Sequence, residues 1–470
     1  MRHFRLSLTL ITLLALMPRV ILIFTRGSFW FDEVFTLELA KLPFGEMFQM
    51  ASQDTNPPLW TMLMWPWVHL FPHTEWIVRI PAVILGTATV PLAGLLGKRV
   101  ASERVGLISA TITALSPTLI YFSTEARMYA LFVFLSVLAA YLIQKRAYAF
   151  VALLLLATHT YGLLPVIGFY VRGLIELPKT MHKKWHLTHA GLVAAWGAWI
   201  AWSYLPKLSD LFSNSWFMRV APPVGWPLTP LFETVTLRGT VPSWIFFCAS
   251  ALALGVIVFG LIKIIREKNT RLFGALLPLF LGIAVAGFFG PARLKYFLFI
   301  LPLAALIIAE ALARMPKKIG AACGALIGMI VITSTIFFIR DFRFSWDRAG
   351  AFAKQDKNAI ILIPWTVNSL PFAHYYGADS AERIKIIPQP GTEKTDMQAL
   401  LAYNWKWEMK PEYISQKLGE LAPPRGRLLI VQSDPYVYSV REWLIANGWM
   451  YQETKTFDIM ESVKIEVWNR

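Results

Sequence analysis

Long apolar segments, separated by short polar ones, occupy most of the first 340 residues of the chain. Two of them, LSLTLITLLALM at 6–17 and ALALGVIVFGLI at 251–262, approach with their flanks the ~20 residues that a membrane-spanning helix needs. The pattern predicts helices near residues 6–24, 105–122, 128–143, 190–205, 244–263, 272–288, 297–313 and 319–339. The predicted class is therefore a polytopic α-helical membrane protein.

Two further regions decide how many times the chain crosses the membrane. Residues 147–176 predict two short crossings that turn near THTYG at 158–162. Residues 58–97 contain two apolar runs, of which WTMLMWPWVHLFP is short and rich in tryptophan, as interfacial segments are. We expect this run to lie in the outer interface or to re-enter; the alternative is that residues 98–104 are external. The expected total is about eleven transmembrane helices.

The character of the chain changes after residue 340, where the sequence becomes more polar. Short strand-like runs occur at 359–364, 384–388, 428–432 and 463–468. A helix that ends on Gly448 is predicted between the last two strands. We therefore predict a transmembrane domain at 1–340, with a first external loop at about 25–58, and a small α/β domain at 341–470.

Composition agrees with a membrane protein, and charge gives an orientation. Of 470 residues, 56% are apolar and 16% are charged, against roughly 25% charged in soluble domains. The net charge of +16 arises largely from short basic loops at 98–99, 145–146, 179–184, 263–271 and 314–318. Because cytoplasmic loops are enriched in lysine and arginine, the first external loop and the C-terminal domain are expected on the extracytoplasmic face of the inner or plasma membrane.

Other partners are not indicated by the sequence. No basic stripe with interleaved aromatic residues is present, so nucleic acid is not an expected partner. The two cysteines, Cys248 and Cys323, lie within apolar runs, which favours neither a disulfide framework nor a cysteine-based metal site.

A small set of ionisable and phenolic residues borders the apolar segments on the expected outer face. A charge at membrane depth costs on the order of 2.5–3.5 kcal/mol, so each charged member needs a partner or a role. The set consists of Asp32, Glu33, Asp54, Glu125, Arg127, Tyr129, His159, Arg293, Lys295 and Tyr296.

Several of these residues have a purely structural explanation. Glu125 and Arg127 could form a local ion pair, or one of them could cap a helix end. His159 could be a satisfied structural histidine, and Asp54 could cap the turn before the two prolines that follow it. Arg293 and Lys295 could anchor a helix at the interface by snorkelling.

The adjacent carboxylates of Asp32 and Glu33, in FWFDEVFT, are harder to explain structurally. Two neighbouring like charges repel, and flanking aromatic rings would raise at least one of the two pKa values. A carboxylate can act as general base toward a hydroxyl or amine, while arginine and lysine can bind phosphate. The combination at a membrane edge predicts glycosyl transfer from a polyprenyl-phosphate-linked sugar.

Four motifs in order carry a resemblance to a known family. They are FDEVFT at 31–36, DTNPPLW at 54–60, RIPAVILG at 79–86 and ARLKYFLFILP at 292–302. With these motifs the chain resembles the integral-membrane, lipid-phosphate-dependent GT-C glycosyltransferases, specifically bacterial relatives of protein O-mannosyltransferases and of the aminoarabinose transferase acting on lipid A. Two departures stand out: Ala82 replaces the usual serine, and Leu294 and Lys295 separate Arg293 from Tyr296.

The resemblance implies an inverting hexosyl or pentosyl transferase with a single displacement and no required cofactor. It implies that Asp32 is the general base and that Glu33 positions or tunes it. Its implied donor-phosphate ligands are Arg127, Arg293, Lys295, Tyr129 and Tyr296. A divalent cation remains open if Asp32, Glu33, Asp54, Glu125 and His159 converge. The implied partners are the lipid-linked donor and an acceptor, lipid, protein or glycan, that the sequence does not identify.

Two alternatives from other classes are a transporter or flippase for lipid-linked glycan precursors and a scaffold whose outer domain binds partners. The absence of an internal repeat and the placement of the charges on one face disfavour the transporter. Convergence of the external charges on one site would separate the transferase from the scaffold.

Overall fold

The structure is a computed structural model. It describes residues 2–205, 243–288, 294–341, 343–364, 366–377, 382–388, 411–423, 425–432, 437–457 and 463–470. Arg293, one of the predicted phosphate ligands, lies outside the described residues.

Helices dominate the part of the chain before residue 341, at or near the predicted positions. The first eleven are α1 Arg2–Thr25, α2 Phe31–Lys41, α3 Phe44–Ala51, α4 Leu59–Leu70, α5 Glu75–Val100, α6 Glu103–Leu115, α7 Pro117–Phe122, α8 Tyr129–Leu142, α9 Tyr148–Leu156, α10 Leu163–Glu176 and α11 His182–Tyr204. The next four are α12 Ser243–Arg266, α13 Thr270–Phe288, α14 Ile300–Arg314 and α15 Lys317–Asp341.

Four helices of the described residues are long and apolar enough to cross a membrane. They are α1, α5, and the greater part of α12 and of α15, and the shorter α8 and α13 are also apolar. This number does not confirm the expected eleven crossings. The segment at 147–176 does form two short helices, α9 and α10, joined by a 3₁₀ turn at Thr160–Gly162.

Helix α5 lies at the centre of the helical part, against α1, α6 and α8. Glycines allow its close approach to α6, since a Cβ atom on Gly97 would lie 2.9 Å from the Cα of Gly106. Small residues at such contacts are common where helices pack in membranes. Helix α14 is packed against α6 and α12, and its residues from Ile300 to Leu312 are all buried.

The segment between α1 and α5 forms three short helices, α2, α3 and α4. With 12 residues, α4 is about 18 Å long, shorter than the ~30 Å of a bilayer core. Its tryptophans are anchored to neighbouring segments: Trp65 Nε1 donates to Leu42 O at 2.9 Å and Trp67 Nε1 to Ile77 O at 3.0 Å.

The C-terminal part contains a five-stranded sheet in the order β2-β1-β3-β5-β4. Strands β1, β2 and β3 are parallel, and β5 is antiparallel to both β3 and β4. The strands are β1 Ile360–Ile363, β2 Ile384–Ile386, β3 Arg427–Gln432, β4 Met450–Thr456 and β5 Lys464–Asn469. The helices are α16 Trp346–Gln355, α17 Thr366–Tyr376, α18 Pro411–Leu421 and α19 Val437–Ala446.

Helices cover both faces of this sheet. One apolar core joins α16 and α17 to one face, and a second joins α18 and α19 to the other. The four predicted strands and the predicted last helix are present, whereas β4 was not predicted. Its sequence MYQETKT is polar, because β4 is an exposed edge strand that packs little against either core.

Helix α17 also packs on α2 of the first external segment. The hydroxyl of Tyr375 accepts the Phe29 N–H at 2.6 Å and donates to Glu75 Oε1 at 2.8 Å. His374 Nδ1 lies 3.3 Å from Glu38 Oε1. The C-terminal part therefore contacts the helix that carries Asp32.

Candidate active site

The site is organised around the first turn of α2. Gly27, with φ 77°, adopts the left-handed conformation that glycine tolerates best, at the turn between α1 and α2. Asp32 and Glu33 lie in the first turn of α2, where acidic side chains interact favourably with the helix dipole. Because successive helical residues are rotated by about 100°, the two neighbouring carboxylates reach different partners.

Glu33 forms a buried two-point ion pair with Arg79 of α5. Arg79 Nε donates to Glu33 Oε1 and Arg79 Nη2 to Oε2, both at 2.8 Å, and neither side chain is exposed. The N–H of Ala126 also donates to Oε1 at 3.0 Å. Burial would raise the pKa of the Glu33 carboxyl, but the charge and hydrogen bonds of Arg79 outweigh it and hold that pKa below its usual range. Glu33 therefore stays ionised and connects α2, α5 and the loop before α8.

Among the described residues, two cations from distant parts of the chain face Asp32. Its Oδ2 atom lies 3.1 Å from Lys295 Nζ and 3.9 Å from Arg127 Nε. The exposed fractions of the three side chains are 17% for Asp32, 15% for Lys295 and 9% for Arg127, so the cluster is only partly open to solvent. In such surroundings charges interact more strongly than in bulk water.

Arg127 is held from several sides. Its Nη1 donates to Thr36 Oγ1 at 2.9 Å and to the backbone carbonyl of Asp32 at 3.5 Å. Its Nη2 lies 4.0 Å from Asp54 Oδ2. Burial raises the pKa of the Asp54 carboxyl, and the guanidinium of Arg127 only partly offsets this effect.

Aromatic rings surround the ammonium of Lys295. The Nζ atom lies 5.2 Å from the ring centroid of Trp30, 5.6 Å from that of Tyr129 and 5.8 Å from that of Tyr296. Cations within about 6 Å of such rings are attracted by the π system. The Tyr296 ring also stacks on Tyr161, with centroids 5.3 Å apart. These contacts bring both predicted phosphate-binding tyrosines next to Asp32 and Lys295.

Glu125 pairs with Arg26 rather than with Arg127, which corrects the local pair considered from the sequence. The Arg26 Nη2 to Glu125 Oε1 distance is 2.7 Å, and both side chains are fully buried. Arg26 Nη1 also donates to Thr124 Oγ1 at 3.0 Å. Burial raises the pKa of the Glu125 carboxyl although Arg26 acts in the opposite direction. The pair fixes the loop that carries Arg127.

His159 is buried at the turn between α9 and α10. Its Nδ1 accepts the Tyr161 N–H at 3.0 Å, and its ring stacks on Phe132 with centroids 4.7 Å apart. Burial, reinforced by the positive charges of Lys295 and Arg127, lowers the pKa of the imidazole to about 3. His159 is therefore neutral at pH 7, with the proton on Nε2.

The predicted residues thus divide into two groups. Asp32, Asp54, Arg127 and Lys295 come together with Tyr129 and Tyr296, whereas Glu33 and Glu125 are each engaged by a buried arginine. Among the described residues, no three side chains of histidine, cysteine, aspartate or glutamate are placed to hold one metal ion. The convergence that a divalent site would need is therefore not found among those residues.

Sequence reasoning did not single out Arg26, Arg79 or Thr36. The information was present: Arg79 opens RIPAVILG, Thr36 closes FDEVFT, and Arg26 follows the first apolar run. An arginine beside a long apolar segment requires an acidic or carbonyl partner, and Glu33 and Glu125 were the acids available to Arg79 and Arg26.

No protein-family model and no curated protein sequence match the chain. Solved structures do. ArnT from Cupriavidus metallidurans in the apo state has a TM-score of 0.60 at 12% identity, over 98% of this chain and 97% of that one. The same protein bound to undecaprenyl phosphate gives 0.59 at 12% identity, with the same coverage.

The oligosaccharyltransferase AglB from Archaeoglobus fulgidus is also similar. In complex with an inhibitory peptide and a dolichol-phosphate, it has a TM-score of 0.54 at 12% identity, over 91% of this chain and 69% of that one. ArnT and AglB are GT-C glycosyltransferases. At these identities the similarity establishes the fold, as the four sequence motifs predicted. The chain has the GT-C fold, along almost its whole length.

Proposed function

We propose that the protein is a membrane glycosyltransferase that moves a sugar from a polyprenyl-phosphate-linked donor to an acceptor on the extracytoplasmic face. The observation that carries this proposal is Asp32 Oδ2 at 3.1 Å from Lys295 Nζ and 3.9 Å from Arg127 Nε. A base and two phosphate-binding cations thereby occur in one partly buried cluster. The lipid carriers bound to ArnT and AglB support the same class of donor.

In the proposed reaction Asp32 accepts the proton of an acceptor hydroxyl or amine. The acceptor atom attacks the anomeric carbon from the side opposite the phosphate, and the bond from that carbon to the phosphate oxygen breaks. Polyprenyl phosphate leaves, and the configuration inverts. Asp32 contributes as general base, an effect worth about 10²–10⁴-fold in rate.

Lys295 and Arg127 would stabilise the negative charge that develops on the departing phosphate. Arg127 offers a planar guanidinium suited to two phosphate oxygens. Tyr129 and Tyr296 are proposed to hydrogen-bond the same phosphate, and Arg293 remains a proposed ligand outside the described residues. Glu33 is proposed as a positioning residue, since Arg79 engages both of its oxygens.

The remaining candidates are assigned supporting roles. Asp54 lies beside Arg127, with Oδ2 4.0 Å from Nη2, where it is proposed to orient the acceptor or the guanidinium. Glu125 fixes the loop of Arg127 through Arg26. His159 packs beside Tyr296 as a neutral ring. Because Glu33 and Glu125 are engaged by arginines, no step of this mechanism is routed through a metal ion.

The division into a transmembrane domain at 1–340 and an α/β domain at 341–470, and their extracytoplasmic orientation, belong to the same proposal. Membrane location is supported by the four long apolar helices. No feature of the described residues favours the transporter alternative. The donor sugar, hexosyl or pentosyl, and the acceptor are to be identified by assay.

The experiment that tests the proposal compares Asp32→Asn with wild type. We expect sugar transfer by purified protein from polyprenyl-phosphate sugars to fall by about 10²–10⁴-fold, because the amide cannot accept the acceptor's proton. Glu46→Gln, an exposed acid of α3 that loses the same charge, serves as control and should remain active. Full activity of folded Asp32→Asn would overturn the proposed mechanism.

A further inference from the structure

The oxygen that would accept the acceptor's proton is already engaged. Oδ2 of Asp32 is the atom that lies nearest both Lys295 Nζ and Arg127 Nε. A carboxylate oxygen in a charge-assisted hydrogen bond is held more strongly than one bonded to a neutral donor. In this arrangement the proposed base is occupied by the cations that are proposed to bind the donor.

The described side chains of the cluster carry charges of both signs. Lys295, Arg127 and Asp32 lie together, Asp54 lies 4.0 Å from Arg127, and Glu33 and Glu125 are engaged by Arg79 and Arg26. The phosphodiester of a lipid-linked sugar carries one negative charge and would compete with Asp32 for the ammonium of Lys295.

Among the described residues, the two cations are held by different kinds of contact. The guanidinium of Arg127 keeps two hydrogen bonds that do not involve the Asp32 carboxylate, to Thr36 Oγ1 and to the carbonyl of Asp32. Lys295 approaches from a 3₁₀ turn at Leu294–Tyr296 and carries a compact charge on a flexible stem. Its ammonium lies within 6 Å of three aromatic rings, and these weak contacts do not by themselves fix the position of the ammonium.

We infer that the donor phosphate displaces Asp32 as the hydrogen-bond partner of Lys295, so that Asp32 becomes available as a base only when donor is bound. This inference rests on the proposed function. It makes donor binding precede proton transfer, and it makes Asp32 an antagonist of donor binding. Opposition to donor binding is unusual for a catalytic residue, and it can be measured without turnover.

The test measures the affinity of the full-length protein in detergent for undecaprenyl phosphate, which carries no sugar. We expect Asp32→Asn to bind it about fivefold more tightly than wild type, because Lys295 no longer has to leave a carboxylate. Two controls should show no gain: undecaprenol, which lacks the phosphate, and Glu46→Gln, which removes an acidic charge from the exposed face of α3. Equal or weaker binding of undecaprenyl phosphate by Asp32→Asn overturns the inference.

A double-mutant cycle shows whether Lys295 is the group that is exchanged. We expect Lys295→Met to weaken binding, and the gain from Asp32→Asn to fall below about twofold in the Lys295→Met background. A gain of the same size in both backgrounds would mean that Asp32 acts by general repulsion of the phosphate, and the exchange would be wrong. Asp32→Ala, checked by its elution profile, replaces Asp32→Asn in the cycle if that variant does not fold.

The outcomes separate the inference from the proposed function. An inactive Asp32→Asn protein with unchanged affinity would leave the transferase proposal standing and overturn only the exchange. An active Asp32→Asn protein would overturn the role of Asp32 as base, whatever its affinity for undecaprenyl phosphate.

Discussion

At the scale of single residues, two adjacent acids have different partners because successive residues of a helix point in directions about 100° apart. Glu33 has a partner 46 positions along the chain, whereas Asp32 has one 263 positions away. Those partners could not be assigned from the two adjacent acidic residues in the sequence. The prediction that Asp32 is the more important chemical group followed from family resemblance, and the geometry supplies a physical reason for the difference.

Thr36 offers a test of how Arg127 is positioned. In Thr36→Val the guanidinium loses its 2.9 Å acceptor while the side-chain volume is kept. We expect the donor KM to rise about tenfold or more, because a hydrogen bond to a charged group contributes about 1.5–3 kcal/mol, with a smaller change in kcat. Thr36→Ser retains the hydroxyl and should restore the wild-type KM. A donor KM that is the same in the valine variant and the wild type would contradict this positioning role.

His159 makes a prediction about pH. Between pH 3 and 6.5 an unfolded histidine binds a proton that the buried His159 does not, so folding stability rises with pH through this window. Lowering the pH from 7 to 5 should therefore cost about 2 kcal/mol from this residue.

The measurement for His159 is the pH dependence of the thermal unfolding midpoint. His159→Asn keeps an acceptor for the Tyr161 N–H but does not titrate, so its midpoint should fall less between pH 7 and pH 5 than that of wild type. Because all other titratable groups are common to both proteins, the difference in slope isolates His159. Parallel slopes would show that His159 is not buried in its neutral form.

At the scale of secondary-structure elements, apolar runs located the helices and strands to within a few residues in most cases. Burial in a membrane or in a sheet core is a local property that the sequence records directly. Two differences have physical causes. The predicted helix at 105–122 is interrupted at Ser116 and Pro117, where α6 ends and α7 begins, and the edge strand β4 has no apolar pattern.

The contact between α17 and α2 can be tested with two neighbouring tyrosines. The Tyr375 hydroxyl makes one hydrogen bond to Phe29, just before α2, and one to Glu75 at the start of α5, so Tyr375→Phe should lower stability by about 1–3 kcal/mol. Tyr376 is the matched control, because its buried hydroxyl has no hydrogen-bond partner among the described residues. Tyr376→Phe should leave the thermal midpoint unchanged. If both variants unfolded at the same temperature, α17 would not be attached through Tyr375.

At the scale of the whole molecule, the fold could be predicted from the sequence more fully than the site. Hydrophobic runs gave the class, and motif order gave the GT-C resemblance. The site depends on contacts between segments far apart in the chain: α2, the loops before α8 and α10, and the turn at Leu294–Tyr296. No local pattern encodes that Lys295 lies against Asp32 or that Glu125 lies against Arg26. The buried arginines, which fix these segments relative to one another, could be recognised from the sequence as charges that need partners, but the sequence did not assign a partner to each.

The two buried ion pairs constrain which substitutions related chains can carry. Removing one partner of such a pair leaves an uncompensated buried charge, which costs about 3–5 kcal/mol, whereas replacing both with apolar residues can be neutral. Glu33 and Arg79 should therefore be lost or retained together in related chains, and so should Glu125 and Arg26. Lys295 and Asp32 are partly exposed, at 15% and 17%, so the loss of one partner costs less and the two residues need not change together as strictly. In related chains, an exchange at position 33 should therefore be accompanied by an exchange at position 79.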